Sequence, residues 1–135
     1  MKGYEHAYQS ETFSSSHSLY LEICRILPAN LRKVIKDADS IFIKGSVGQG
    51  NWAKIPWVAM MNPQETTTTQ KGIYIVYLFS EDRKRVYLSL NQGVTEIANE
   101  NSRITDSIRV LKNKAAEVRG ALRIESLDTE AITLG

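Results

Sequence analysis

At 135 residues, with 42% apolar and 24% charged content, the chain has the size and balance of one globular domain with a real core. Its formal net charge of +2 permits an anionic partner without demanding one, so nucleic acid would have to be held by a local basic patch. A single cysteine (Cys24) excludes an internal disulfide, no apolar run reaches membrane-spanning length, and the start Met1-Lys2-Gly3-Tyr4-Glu5-His6 lacks the apolar core of a signal peptide; we expect a cytoplasmic protein.

Residues 1–15 are polar and without periodicity, which predicts a flexible N-terminal arm ahead of a single domain over 16–135. A helix is expected from Ser16 or Ser18, where serine can cap, with Leu19, Ile23, Ile26 and Leu27 at helical spacing. Pro28 should interrupt it, and a second helical set follows with Leu31, Val34, Ile35 and Ala38 on one side and Arg32, Lys33 and Lys36 on the other. Strands are expected at 40–45, 55–61, 73–79 and 85–91 from β-branched and aromatic runs bounded by turn residues. The third is apolar on both faces and so should be central. The fourth alternates Val86, Leu88 and Leu90 with Arg85, Tyr87 and Ser89. Residues 64–71 contain no apolar side chain and read as an exposed loop. A long helix should run from Thr95 to Arg119, stopped by Gly120, with one apolar stripe of Ile104, Ile108, Leu111, Ala115, Val118 and Leu122. The tail after Leu122 has room for one or two short strands. The fold class that follows is α+β: a mostly antiparallel sheet with N-terminal helices and one long helix packed on its faces.

The richest segment is Lys44-Gly45-Ser46-Val47-Gly48-Gln49-Gly50-Asn51-Trp52-Ala53-Lys54-Ile55-Pro56-Trp57, a glycine loop between two strands that also holds both tryptophans of the chain. Glycine permits close approach of backbone to a ligand, and the same glycines serve a tight inter-strand connection equally well. The loop lacks the Gly-Lys-Ser/Thr of a P-loop and is followed by a strand, so neither a P-loop nor a dinucleotide fingerprint fits.

Catalytic chemistry is sparse. The two histidines, His6 and His17, stand in no nucleophile or metal motif, and zinc would need more Cys or His ligands than the chain carries. Asp82-Arg83-Lys84 has the acidic-x-Lys spacing of metal nucleases, yet it sits at a hairpin tip where charges are ordinary. We expect no enzymatic activity, no metal and no cofactor.

Ile43 to Ala59, Lys71 to Phe79 and Val86 to Gly93 resemble the McrB-like N-terminal domain of modification-dependent restriction systems. The resemblance is strong from Ser40 to Thr95 and looser over the long helix. The family domain extends further than this chain, so the resemblance implies a fragment or a C-terminally shortened relative. It implies binding of duplex DNA and extrusion of a modified cytosine, 5-methylcytosine in the best-known relatives, into an aromatic pocket. Trp57 and Tyr74 match the pocket positions. Gln49, where relatives carry tyrosine, and Leu78 are the candidate wedges into the duplex. Lys44, Lys54, Lys71, Arg83, Lys84 and Arg85 are the candidate phosphate contacts, and of the loop backbone at Gly45, Gly48 and Gly50 the Gly48 and Gly50 amides can add to them. The implied partners are duplex DNA and, in the full system, a GTPase motor and a nuclease subunit, with no membrane. A protein-interaction or assembly domain using the long helix, or a nucleotide-sensing pocket, are the alternatives.

Overall fold

The computed structural model describes residues 3–80, 82, 84–101 and 103–122. The chain runs α1 (Tyr4–Ser10), α2 (Ser18–Leu21), a π-helical turn (Glu22–Ile26), α3 (Leu27–Val34), a 3-10 turn (Ala38–Ser40), β1 (Phe42–Ser46), β2 (Trp57–Met61), β3 (Ile73–Phe79), β4 (Val86–Gln92), α4 (Thr95–Glu100) and α5 (Ile104–Ala121). The strands form one antiparallel meander in the order β1-β2-β3-β4. The α+β class therefore stands, and each strand begins and ends within two residues of the span read from the sequence. The tail strands suggested after Leu122 lie outside the described residues.

Strand alternation and register sort the side chains onto two faces. One face carries Ile43 and Val58, which share a buried cluster with Leu19, Ile23, Tyr4, Ala7, Val47 and Trp52. Gly45 belongs to this face. A methyl there would overlap the Ile23 carbonyl oxygen, so Gly45 is what lets the π-helical turn lie against β1.

Four expectations are corrected. Residues 3–15 of the expected flexible arm are packed on the domain: Tyr4 and Ala7 of α1 are both 0% exposed, and the Tyr4 hydroxyl donates to the Ala53 carbonyl at 2.8 Å. Two buried residues in α1, three apart, are too few to show as a period. Pro28 does not interrupt its helix. The preceding turn widens so that Leu27 N–H donates to the Glu22 carbonyl, an i→i−5 bond that makes room for the proline ring. The long helix is two helices. The Asn101 side-chain amide donates to the Ile97 carbonyl at 2.7 Å, taking the acceptor its own backbone N–H would use if the helix continued. Gly120 is no stop either, since α5 runs through it to Ala121.

The α5 stripe is not packed against the sheet along its length. Ile104 is 79% exposed, and α5 meets the sheet where Gln92 Nε2 donates to the Leu111 carbonyl at 2.8 Å. Among the described residues, Val86, Leu88 and Leu90 of β4 are also exposed.

Candidate nucleic-acid interface

The second face of the sheet holds the pocket candidates. Register gives three rows across the strands: Ser46, Trp57, Leu78 and Tyr87; then Lys44, Ala59, Val76 and Ser89; then Phe42 and Met61 with Tyr74 and Asn91. Large side chains thus flank a row of small ones. Trp57, Tyr74 and Leu78, all half-buried, pack together around Ala59, Met61 and Val76. The Trp57 and Tyr74 rows are four residues apart, about 14 Å along the strands at roughly 3.4 Å per residue. Ala59 and Val76 between them are 0% and 2% exposed, so the side chains at rest close over this floor.

Tyr74 is held at its tip. Its hydroxyl donates to the Thr69 carbonyl at 3.2 Å, and Asn91 stands opposite Tyr74 in the β3–β4 register. Burial pushes the Tyr74 hydroxyl above its ordinary pKa, with the neighbouring Asn91 amide pulling the other way, so the ring stays neutral at physiological pH. Residues 64–71 form the expected loop, exposed at Gln64, Glu65, Thr67, Gln70 and Lys71, with Thr66 turned inward. Thr66 is buried beneath Gly72, and its hydroxyl donates to the Thr68 carbonyl at 2.8 Å, forming a local turn that presents Thr69 to Tyr74.

Loop 47–56 leaves the sheet at the Trp57 row. Gly48 has φ 114° and a methyl there would overlap the Asn51 carbonyl, so this glycine closes the loop on itself. Gly50 has φ 76° and faces open space, and Gln49 is exposed at the tip. Of the three glycines read as loop backbone, Gly45 is absorbed into β1 and packing, leaving Gly48 and Gly50 beside the tip. The two tryptophans separate in role. Trp52 is buried, its Nε1 donates to the Glu11 carbonyl at 3.0 Å, and its ring meets the edges of Tyr4, Phe13 and His17. It anchors the loop to the N-terminal segment and offers no free face.

The cations divide between the two ends of the sheet. Lys44 stands exposed on β1 in the Ala59 row, and Lys54 is exposed on loop 47–56. Lys84 and Arg85 sit in the β3–β4 connection, which leaves the sheet at the same end as that loop. This connection is pinned by Asp82, whose carboxylate accepts from the Ser80 hydroxyl at 2.6 Å and the Lys84 N–H at 3.1 Å. Arg83 lies outside the described residues. Lys71 is not brought to this group: it belongs to the β2–β3 connection at the opposite end and pairs with Glu96 at 3.8 Å.

That opposite end also holds a cavity of about 300 Å³, lined in part by Glu65, Glu96, Lys114 and Glu117 and by neither Trp57 nor Tyr74. Among the described residues no cluster of three or more His, Cys, Asp or Glu is arranged to hold a metal, and no helix is long and apolar enough to cross a membrane. Burial raises the pKa of the Cys24 thiol, which keeps it in the unreactive form. Sequence reasoning passed over Ser89 and Asn91. Their only signal was the polar half of the β4 alternation, which reads equally as a solvated face.

No curated protein and no solved structure matches this chain. A family model described as the MrcB-like N-terminal domain matches residues 1–135, its whole length. That match covers the strands, the glycine loop and the aromatic rows together, and the chain belongs to the MrcB-like N-terminal domain family.

Proposed function

We propose that this chain is the DNA-binding domain of a restriction system and that it accepts an extruded, modified cytosine between Trp57 and Tyr74. Family membership supports DNA binding in that setting. The observation that carries the finer reading is the grouping of Trp57, Tyr74 and Leu78 around the small residues Ala59 and Val76, with Trp57 and Leu78 in the row next to loop 47–56 and Tyr74 two rows away.

Extruding a base costs a few kcal/mol of stacking and pairing. Stacking on an aromatic side chain returns about 1–3 kcal/mol per base, so two rings offset most of that cost. Ala59 and Val76 are sealed when the site is empty, so the base enters as the Trp57 and Tyr74 rings part. Leu78, directly opposite Trp57 in register, serves as a pocket wall rather than a wedge. Gln49 is left as the residue that fills the vacated stack, where its amide can hydrogen-bond the orphaned partner base. Lys44, Lys54, Lys84 and Arg85 contact phosphates, with the Gly48 and Gly50 amides beside them. The domain binds and does not catalyse; a GTPase motor and a nuclease act with it in the full system.

The test is fluorescence anisotropy at low salt with duplexes that differ at one cytosine: unmodified, 5-methyl and 5-hydroxymethyl. At least one modified duplex is expected to bind about tenfold or more tightly than the unmodified one. Absence of binding to every duplex, or binding of free nucleotides in its place, overturns the proposal.

A further inference from the structure

The two edges of the sheet are built differently. β1 is short, is crossed by the π-helical turn at Gly45, and carries the exposed Lys44, a residue that discourages strand pairing. β4 runs Val86-Tyr87-Leu88-Ser89-Leu90-Asn91-Gln92 without a proline, a glycine or a charged side chain, and no strand among the described residues pairs with its outer edge. At its two ends the Ser80 N–H donates to the Arg85 carbonyl and the Gly93 N–H to the Gly72 carbonyl, both continuing the β3–β4 register. Hydrogen-bonded pairs alternate along an antiparallel ladder. Tyr87, Ser89 and Asn91 therefore bond to β3, while Val86, Leu88 and Leu90 turn their N–H and C=O groups to the free edge. The same three residues hold exposed apolar side chains on the face opposite Trp57, beside an exposed Ile75 on β3. The helices that cover Ile43 and Val58 on that face stop short of them.

We propose that the β4 edge pairs with the β4 edge of a second copy of this chain, antiparallel about a twofold axis at Leu88, joining two four-stranded sheets into one of eight strands. The side chains select this occupant and this register. With Leu88 facing its own counterpart, Val86 faces Leu90 of the second copy, and each outward N–H and C=O of the three residues gains a partner. The apolar row then runs unbroken across the joint. On the other face Tyr87 meets Ser89 and Arg85 meets Asn91, while Lys84 meets Gln92 at the end of the pairing. The cations thus stand beside neutral amides and never beside each other, where like charges would oppose the pairing. The neighbouring twofold registers set Val86 against Gln92, or Leu90 against Lys84, and lose an apolar pair. A twofold axis normal to the sheet also keeps the Trp57 faces of both copies on one surface, five strand spacings of about 4.8 Å apart. The inference stands apart from the pocket reading, since association is measured without DNA.

An edge of seven residues buries less than the roughly 1,600 Å² of a standard interface, so the dimer is weak, with a dissociation constant between about 1 μM and 1 mM. Sedimentation equilibrium of the 135-residue chain across that range is expected to pass from monomer to dimer. Leu88→Lys sets two lysines against each other on the axis and should stay monomeric throughout. Leu88 is 59% exposed, so this change leaves the fold intact, which thermal melting confirms. The register is tested by cross-linking in a Cys24→Ser background with oxidised glutathione. A hydrogen-bonded antiparallel pair sets its Cα atoms about 5.5 Å apart, within disulfide reach, so Leu88→Cys should give a covalent dimer. Val86→Cys, whose two copies stand four residues apart along the joint, should not. Hydrogen exchange at the Leu88 and Leu90 amides should slow as the protein concentration rises. A wild-type chain still monomeric at about 1 mM, a Leu88→Lys variant that dimerises like wild type, or equal cross-linking at positions 86 and 88 overturns the inference. Slow exchange at those amides in a monomer overturns it as well, since the edge is then covered within one chain.

Discussion

Trp52 and Trp57 stand five positions apart in one loop-and-strand segment and do opposite work. Trp52 fills the junction of α1, the His17 turn and loop 47–56, with its indole N–H satisfied by the Glu11 carbonyl. Trp57 lies half-buried over Ala59 on the other face of the sheet. Truncating a buried tryptophan typically costs about 3–5 kcal/mol. Trp52→Ala is therefore expected to lower the melting temperature by about 10 °C or more, and to weaken DNA binding only through loss of fold. Trp57→Ala should melt close to wild type and lose about tenfold or more in affinity for the preferred duplex, the worth of one stacked face. Calorimetry and anisotropy on the two variants check this. Full affinity in folded Trp57→Ala would remove the indole from the binding site.

At the scale of elements, the N-terminal segment is tied down by Glu11. His6 Nδ1 and His17 Nε2 donate to its two carboxylate oxygens at 2.8 and 2.7 Å. His17 Nδ1 meanwhile accepts the Leu19 N–H at 3.2 Å, so a neutral imidazole with its hydrogen on Nε2 suffices for the pair. The His6 hydrogen bond, then that of His17, hold the Glu11 carboxyl below its usual pKa of 4.5. A carboxyl whose pKa is depressed in the folded state adds stability above its unfolded pKa and loses it as pH falls through the folded one. Glu11→Gln should therefore melt below wild type at pH 7, with the gap closing as the pH falls below 4.5 through the depressed folded-state pKa. Melting curves across that range decide it; a gap that stays constant would mean that the charge of Glu11 contributes nothing. Nothing in the sequence announced this tie, because it joins residues 6, 11 and 17 through side chains rather than through a period. The strands were legible, since β-branched runs between Gly, Pro and Asn leave little choice, and Trp57 and Tyr74 became candidates for the pocket only through the resemblance of the glycine loop to a family. The break at Asn101 was not legible: the apolar stripe of α5 continues the phase of α4, and only the Asn101 amide capturing the Ile97 carbonyl separates them. Gly45 read as a flexible loop residue because sequence does not show that a helix backbone passes over it.

Over the whole molecule, charge is arranged end to end. Lys54, Lys84 and Arg85 lie at the end of the sheet that carries loop 47–56 and the β3–β4 connection, with Lys44 in the middle row beside them. The far end carries Glu65, Glu96 and Glu117 around its cavity, against Lys114 and a Lys71 paired to Glu96. The net charge of +2 hides this polarity, which is why composition alone argued only weakly for nucleic acid. A duplex lying across the Trp57 end would displace counterions at the first four cations and none at Lys71. Each phosphate neutralised contributes a slope of about −0.9 in log K against log salt, so four contacts give roughly −3.6 and about a hundredfold loss between 50 and 200 mM. Lys84→Ala and Lys44→Ala should each make that slope shallower by about 0.9 while weakening modified and unmodified duplexes alike, because phosphate contacts position the protein without reading the base. Lys71→Ala should leave the slope unchanged. Salt titrations of the three variants on one duplex measure this directly. If Lys71→Ala changes the slope as much as Lys84→Ala, the duplex reaches the acidic end, and the pocket between Trp57 and Tyr74 lies to one side of its path.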